Sequence, residues 1–131
     1  ICAEGIAETV PLAKADAVVL SFPAGGPAVD EAAVARLRQA MTDGVGVVRD
    51  AAGLKSALRT LAEIEAKAER EALRNMTATA TLIAAAALIR TESRGGHYRS
   101  DFPKTDPVQA KRSFLTLTEA LEIRSRALEE E

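Results

Sequence analysis

Apolar residues recur every three or four positions through most of this chain, and polar breaks divide the pattern into helices. The first stripe is Val34, Leu37, Met41, Val45 and Val48, opening behind Asp30, a good N-cap followed by Glu31. This predicts a helix over residues 31–48. Gly44 and Gly46 weaken it by about 1 kcal/mol each. Either the helix survives them, or a neighbouring backbone needs the close approach. Asp50 caps a second helix, 51–67, with Leu54, Leu58, Leu61 and Ile64 inward and Lys55, Arg59, Glu63 and Lys67 outward.

A third helix, 71–94, carries Leu73, Met76, Ala80, Ile83 and Ala87. Its second half, "TATLIAAAALI", is apolar on nearly every side, so it is expected to be central or to meet a further partner. No proline separates helices two and three. A break near Ala66–Ala72 is expected from packing rather than local sequence; if absent, the merged helix would swap between chains in a homodimer. Gly95 suits the left-handed position after the helix end. In "HYRSDF" the pattern changes to period two: His97, Arg99 and Asp101 on one edge, Tyr98 and Phe102 on the other. Thr116 and Glu119 form a capping box ahead of a short last helix carrying Leu117, Ala120, Leu121 and Leu128. The expected fold is all-α: a spectrin-repeat-like up-down-up three-helix bundle with an irregular N-terminal arm and a short C-terminal helix. Residues 1–29 form the arm, with "ADAVVLSF" β-prone and "PAGGPAVD" a loop, and 30–131 form the helical domain.

Composition narrows the chemistry. The chain has 131 residues, a net charge of −2 and one cysteine, Cys2. It has no basic excess to draw it to nucleic acid, no internal disulfide and no cysteine-rich zinc site. The charge-free stretch from Asn75 to Ile89 falls short of a membrane span. The expectation is a cytoplasmic protein with neither nucleic acid nor membrane as partner. The chain starts at Ile1, so it is either processed or part of something longer.

One constellation invites a chemical reading: Glu92, Arg94, His97, Arg99 and Asp101. As a catalytic site, His97 would be a general base oriented by Asp101 or Glu92, with arginines holding an anion. As structure, the same residues would form an ion-pair network pinning the chain after a helix. No nucleophile is evidently placed, and one histidine is poor support for a metal.

The string Glu92-Ser93-Arg94-Gly95, then His97, Arg99, Asp101, Phe102 and Pro103, resembles a signature in the C-terminal region of one flavoprotein family. That family holds L-aspartate oxidases and the flavoprotein subunits of succinate dehydrogenase and fumarate reductase. The element Val45-Gly46-Val47-Val48-Arg49 is similar to the form seen in the aspartate-oxidising branch. The resemblance covers about residues 31–125. It implies an FAD-dependent enzyme converting L-aspartate to iminoaspartate on the route to quinolinate and NAD. Glycines 25 and 26 make no dinucleotide fingerprint, and the family's capping domain does not fit within this chain. The fragment is therefore expected to hold no catalytic, flavin-binding or metal residue, and to be inactive alone. Its partners would be its own flavin-binding and capping domains, with Glu92, Arg94, His97, Arg99 and Asp101 as the docking edge. A flavoprotein subunit of succinate dehydrogenase or fumarate reductase, and a free-standing helical interaction module, are the alternatives.

Overall fold

The computed structural model describes residues 28–129; the β-prone run and the glycine pair near the N-terminus lie outside them. Four helices follow in order: α1 (Glu31–Val45), α2 (Ala51–Ala66), α3 (Glu71–Ile89) and α4 (Leu117–Glu129). Two short strands, β1 (Val48–Arg49) and β2 (Tyr98–Arg99), pair in parallel, and a 3-10 turn spans Pro107–Gln109.

The starts of α1, α2 and α4 are built by the residues the sequence marks for them, whereas α3 starts behind Arg70 with no side-chain cap. The Asp30 carboxylate accepts the amide protons of Ala32 and Ala33 at 3.0 and 3.2 Å. Asp50 accepts that of Gly53 at 2.7 Å. Thr116 and Glu119 exchange hydrogen bonds between side chains and backbone amides, closing the expected box.

Helices α1 and α2 are antiparallel. Gly44 meets Gly53 at one end, and Arg36 pairs with Glu63 towards the other. A Cβ on Gly44 would strike the Gly53 carbonyl oxygen, so the helix does run through Gly44 and the glycine also serves a backbone approach. The break between α2 and α3 falls at residues 67–70, within the expected window. Ala68 is buried there, and its carbonyl accepts the Arg74 Nε–H at 2.9 Å. Packing and one arginine thus make the turn without glycine or proline. It closes within a single chain, so the merged, swapped helix is not needed.

The core is Leu37, Val45, Leu54, Leu58, Leu61, Ile64 and Leu73, joined by the alanines of α3. Helix α3 touches α1, α2 and α4, as a central helix must. Its inner face is Leu73, Thr77, Ala80, Thr81, Ala84 and Ala87. Ile83, expected inside, is half-exposed. Small residues occupy the contacts because they allow close approach, and the buried threonines are satisfied. Thr77 donates to the Arg74 carbonyl at 2.8 Å, and Thr81 accepts from Arg124 of α4 at 3.3 Å. By length and composition alone α3 could cross a membrane; its contacts with three neighbours are those of a core helix.

Two helix ends differ from the sequence reading. Helix α1 stops at Val45, because Gly46 is extended and the Arg49 Nε–H binds the carbonyls of Val45 and Gly46 at 3.2 and 2.6 Å. Val48 consequently leaves the apolar stripe and lies exposed on β1. Helix α3 stops at Ile89, five residues before the expected end. Gly95 does have a left-handed φ of 58°, but in a two-residue turn closed by Arg94 and His97, not at a helix terminus.

Candidate functional site

The segment from Arg90 to Lys111 wraps the end of the bundle where α1 and α3 finish and α2 begins. Its centre is Arg99, whose side chain is only 1 % exposed. One guanidinium nitrogen donates to the carbonyls of Ala87, Leu88 and Arg90 at 3.0, 2.9 and 3.1 Å. These are the acceptors a helix leaves unpaired at its C-terminus, and a cation is favoured there. The cap of α3 is therefore supplied from β2, which explains the early helix end. The other guanidinium edge forks onto Asp101, Nε to Oδ1 and Nη2 to Oδ2, both at 2.7 Å. Asp101 in turn accepts the amide proton of Ala51, at the start of α2, at 3.0 Å. The Arg99 guanidinium, helped by that amide, holds the Asp101 carboxyl down at about 2. Phe102 lies beneath Arg99 with its ring centre 5.1 Å from the guanidinium carbon, so the two expected edges are not separate.

Glu92 is the second centre and is fully buried. It accepts Nε and Nη2 of Arg94 at 3.0 Å, Nη1 of Arg90 at 2.5 Å and the Asp106 amide at 2.7 Å. Arg94 first, then the Asp106 amide, keep its carboxyl at about 2 despite burial. Ser93 accepts the Arg99 amide proton at 2.9 Å and donates to the Phe102 carbonyl at 2.8 Å. Arg90 and Gln109 then tie the following arm back to the end of α3.

His97 meets neither carboxylate. Its Nδ1 lies 2.7 Å from Nη1 of Arg49, and its Nε2 lies 3.4 Å from the Arg90 carbonyl oxygen. Arginine can only donate, so Nδ1 accepts and the proton sits on Nε2. Burial, with the charges of Arg49, Arg99 and Arg90, pushes the imidazole below its usual value. The general-base arrangement is thus not built: the lone pair is taken and no acid orients the ring.

Of the five residues singled out in the sequence, the structure joins Glu92 to Arg94 and Arg99 to Asp101, and leaves His97 apart from both acids. Glu92 and Arg99 have no surface left to offer a partner. The residue that completes the network, Arg49, was visible only in the V-G-V-V-R element 48 positions earlier. It became part of this site because β1 pairs with β2 in the register Val48 to Tyr98 and Arg49 to Arg99.

Gly44 and Gly53 make the helix–helix approach, and Gly95 and Gly96 make the turn between Arg94 and His97. No three histidine, cysteine or acidic side chains converge among the described residues.

Part of the chain is similar to known proteins. Residues 68–129 match the family described as fumarate reductase flavoprotein C-term. An L-aspartate oxidase of Rhodospirillum rubrum is 54% identical over 91 residues, covering 70% of this chain and 33% of that protein. An L-aspartate oxidase of Caulobacter vibrioides is 48% identical over 91 residues, covering 70% of this chain and 17% of its own. A fumarate reductase flavoprotein subunit of Helicobacter pylori is 34% identical over 88 residues, 54% of this chain and 12% of that one. The chain therefore spans a third or less of these relatives. No solved structure matches it significantly. The clasp of Glu92, Arg94, Arg99 and Asp101 lies within the matched residues, and the chain belongs to the succinate dehydrogenase and fumarate reductase flavoprotein family as a C-terminal helical domain.

Proposed function

We propose that this chain is the C-terminal helical domain of a cytoplasmic, FAD-dependent L-aspartate oxidase. The whole enzyme would convert L-aspartate to iminoaspartate for quinolinate and NAD synthesis. The domain's role would be to brace the flavin-binding and capping domains, with the chemistry held by those domains. The observation that carries the choice of substrate is the 54% identity to an L-aspartate oxidase across 91 residues. The absence of a substrate-handling role for this domain is supported by the clasp itself, where the lone pair of His97 and the oxygens of Glu92 and Asp101 are spent on intrachain partners. A partner meeting this edge would find Arg94, Tyr98 and Phe102, which stay partly exposed, and the neighbouring Val47 and Val48.

The test compares the product of the complete gene with the 131-residue chain. The complete product should be yellow and should form iminoaspartate from L-aspartate. The chain alone should be colourless and inactive. A complete product that reduces fumarate but leaves aspartate untouched would place it in the fumarate reductase branch. A colourless complete product would sink the flavoenzyme reading.

A further inference from the structure

We propose that an open cleft beside the clasp binds a small, multiply charged oxyanion of the phosphate type. The cleft holds about 420 Å³, and its walls are Arg90, Arg94, His97, Ala110, Lys111 and Arg112. No carboxylate lines it. Glu92 is fully buried beneath Arg90 and Arg94, so it fixes both guanidiniums without presenting its charge to the opening.

The donors are of two kinds. Arg90 and Arg94 are held in place: Arg90 by Glu92 and the carbonyls of Gln109 and Lys111, Arg94 by Glu92 and the Asp106 carbonyl. Nη1 of Arg94 keeps no partner among the described residues. Fixed guanidiniums need little further ordering to bind, and their planar fork matches a phosphate's oxygens. Lys111 and Arg112 are exposed, and their side chains make no pair among the described residues. They supply mobile charge that can close on an anion. The His97 Nε2–H is a fifth donor, because its bond to the Arg90 carbonyl is long at 3.4 Å and readily given up. Arg49, bound to His97 Nδ1, holds the ring in the tautomer that donates towards the cleft side.

Charge bears out the choice of ligand. The clasp and cleft gather Arg49, Arg90, Arg94, Arg99, Lys111 and Arg112 against Glu92, Asp101 and Asp106. In a chain whose net charge is −2, this end is a local positive surplus. A doubly charged oxyanion neutralises it more completely than chloride, and a neutral ligand not at all.

The test is a heteronuclear NMR titration of the 131-residue chain with inorganic phosphate against sodium chloride at equal ionic strength. Phosphate should give saturable shifts at Gly95, Gly96, His97, Lys111 and Arg112, and chloride should not. The double variant Lys111→Glu, Arg112→Glu breaks no intrachain bond, and its unchanged spectrum elsewhere will show that it folds. Two charge reversals should weaken phosphate at least about tenfold. Shifts that never saturate, that chloride reproduces, or that survive in the double variant overturn the proposal. The outcome is independent of whether the whole protein oxidises aspartate.

Discussion

Arg99 does two jobs with one guanidinium, and its replacement separates them. Arg99→Met leaves Asp101 without its cation and takes the guanidinium donor from the α3 carbonyls of Ala87 and Leu88. Loss of one partner from a buried pair is expected to destabilise the fold by about 3–5 kcal/mol, read from urea unfolding. Arg99→Met combined with Asp101→Asn removes both charges and should be milder than the single change. If the double variant is worse, the fork onto Asp101 is not what holds Arg99. Acid should act at the same residues. The His97 pKa is lowered by folding, so the unfolded chain binds the proton first and stability falls as pH drops below the ordinary 6.5. Glu92 and Asp101, both at about 2 against ordinary values of 4.5 and 3.8, hold stability above those values and lose it as pH falls towards 2. Glu63 and Glu119 are shifted in the same direction. Urea midpoints measured from pH 7 to pH 3 should therefore fall throughout, and His97→Gln should remove the upper limb. A midpoint that rises on acidification would contradict the tautomer assigned to His97. Little of this pairing was readable beforehand. The composition of the cluster is plain in the string from Arg90 to Lys104, but Glu92 and Asp101 are both within reach of several arginines. Only the backbone path decides which pair forms.

The helices were the more legible level, for a local reason. Asp30, Asp50 and the Thr116–Glu119 box act on amides two or three residues away, so sequence contains both partners. The end of α3 failed because its partner is distant: Arg99 lies 10 residues beyond Ile89. The end of α1 failed locally, where Gly46 is extended and the nearby Arg49 takes the carbonyls of Val45 and Gly46. Glycine was the ambiguous signal, and two substitutions show why. Gly44→Ala should gain about 1 kcal/mol of helix propensity. It should lose more, about 1–3 kcal/mol, because the new methyl collides with the Gly53 carbonyl. Gly95→Ala meets no atom, yet its φ of 58° costs a side chain about 1–2 kcal/mol. Thermal unfolding of the two variants should give comparable losses by different routes. The crystal structure of Gly44→Ala should show α1 and α2 moved apart, and that of Gly95→Ala an altered turn. A neutral Gly44→Ala would mean that the two helices tolerate separation at this end.

At the scale of the whole molecule, the clasp turns four local ends into one unit. Arg49 belongs to the end of α1, Asp101 reaches the start of α2, Arg99 caps α3, and Glu92 fastens the arm that leads on to α4. None of these bonds can open far without disturbing the helix end it serves. The amides of Ala51, Arg94, Arg99, Ser100 and Asp106 are all donors within it. Native-state hydrogen exchange should find these amides opening with nearly the same free energy as the middle of α2, although they lie in strands and loops. Helix α4 should behave differently. It buries only Ala120 and Ala127 fully, and its polar ties are Arg124 to Glu65 at 2.6 Å and to Thr81 at 3.3 Å. So few buried apolar groups give α4 a route to detach while α1, α2 and α3 stay packed. Its amides should exchange at a lower free energy, with little dependence on urea, because a partial opening exposes little surface. Arg124→Ala should speed exchange in α4 alone. If the clasp amides instead exchange as fast as those of α4, the network from Arg90 to Lys111 is a surface decoration. The bundle would then owe its integrity to the leucines of α2.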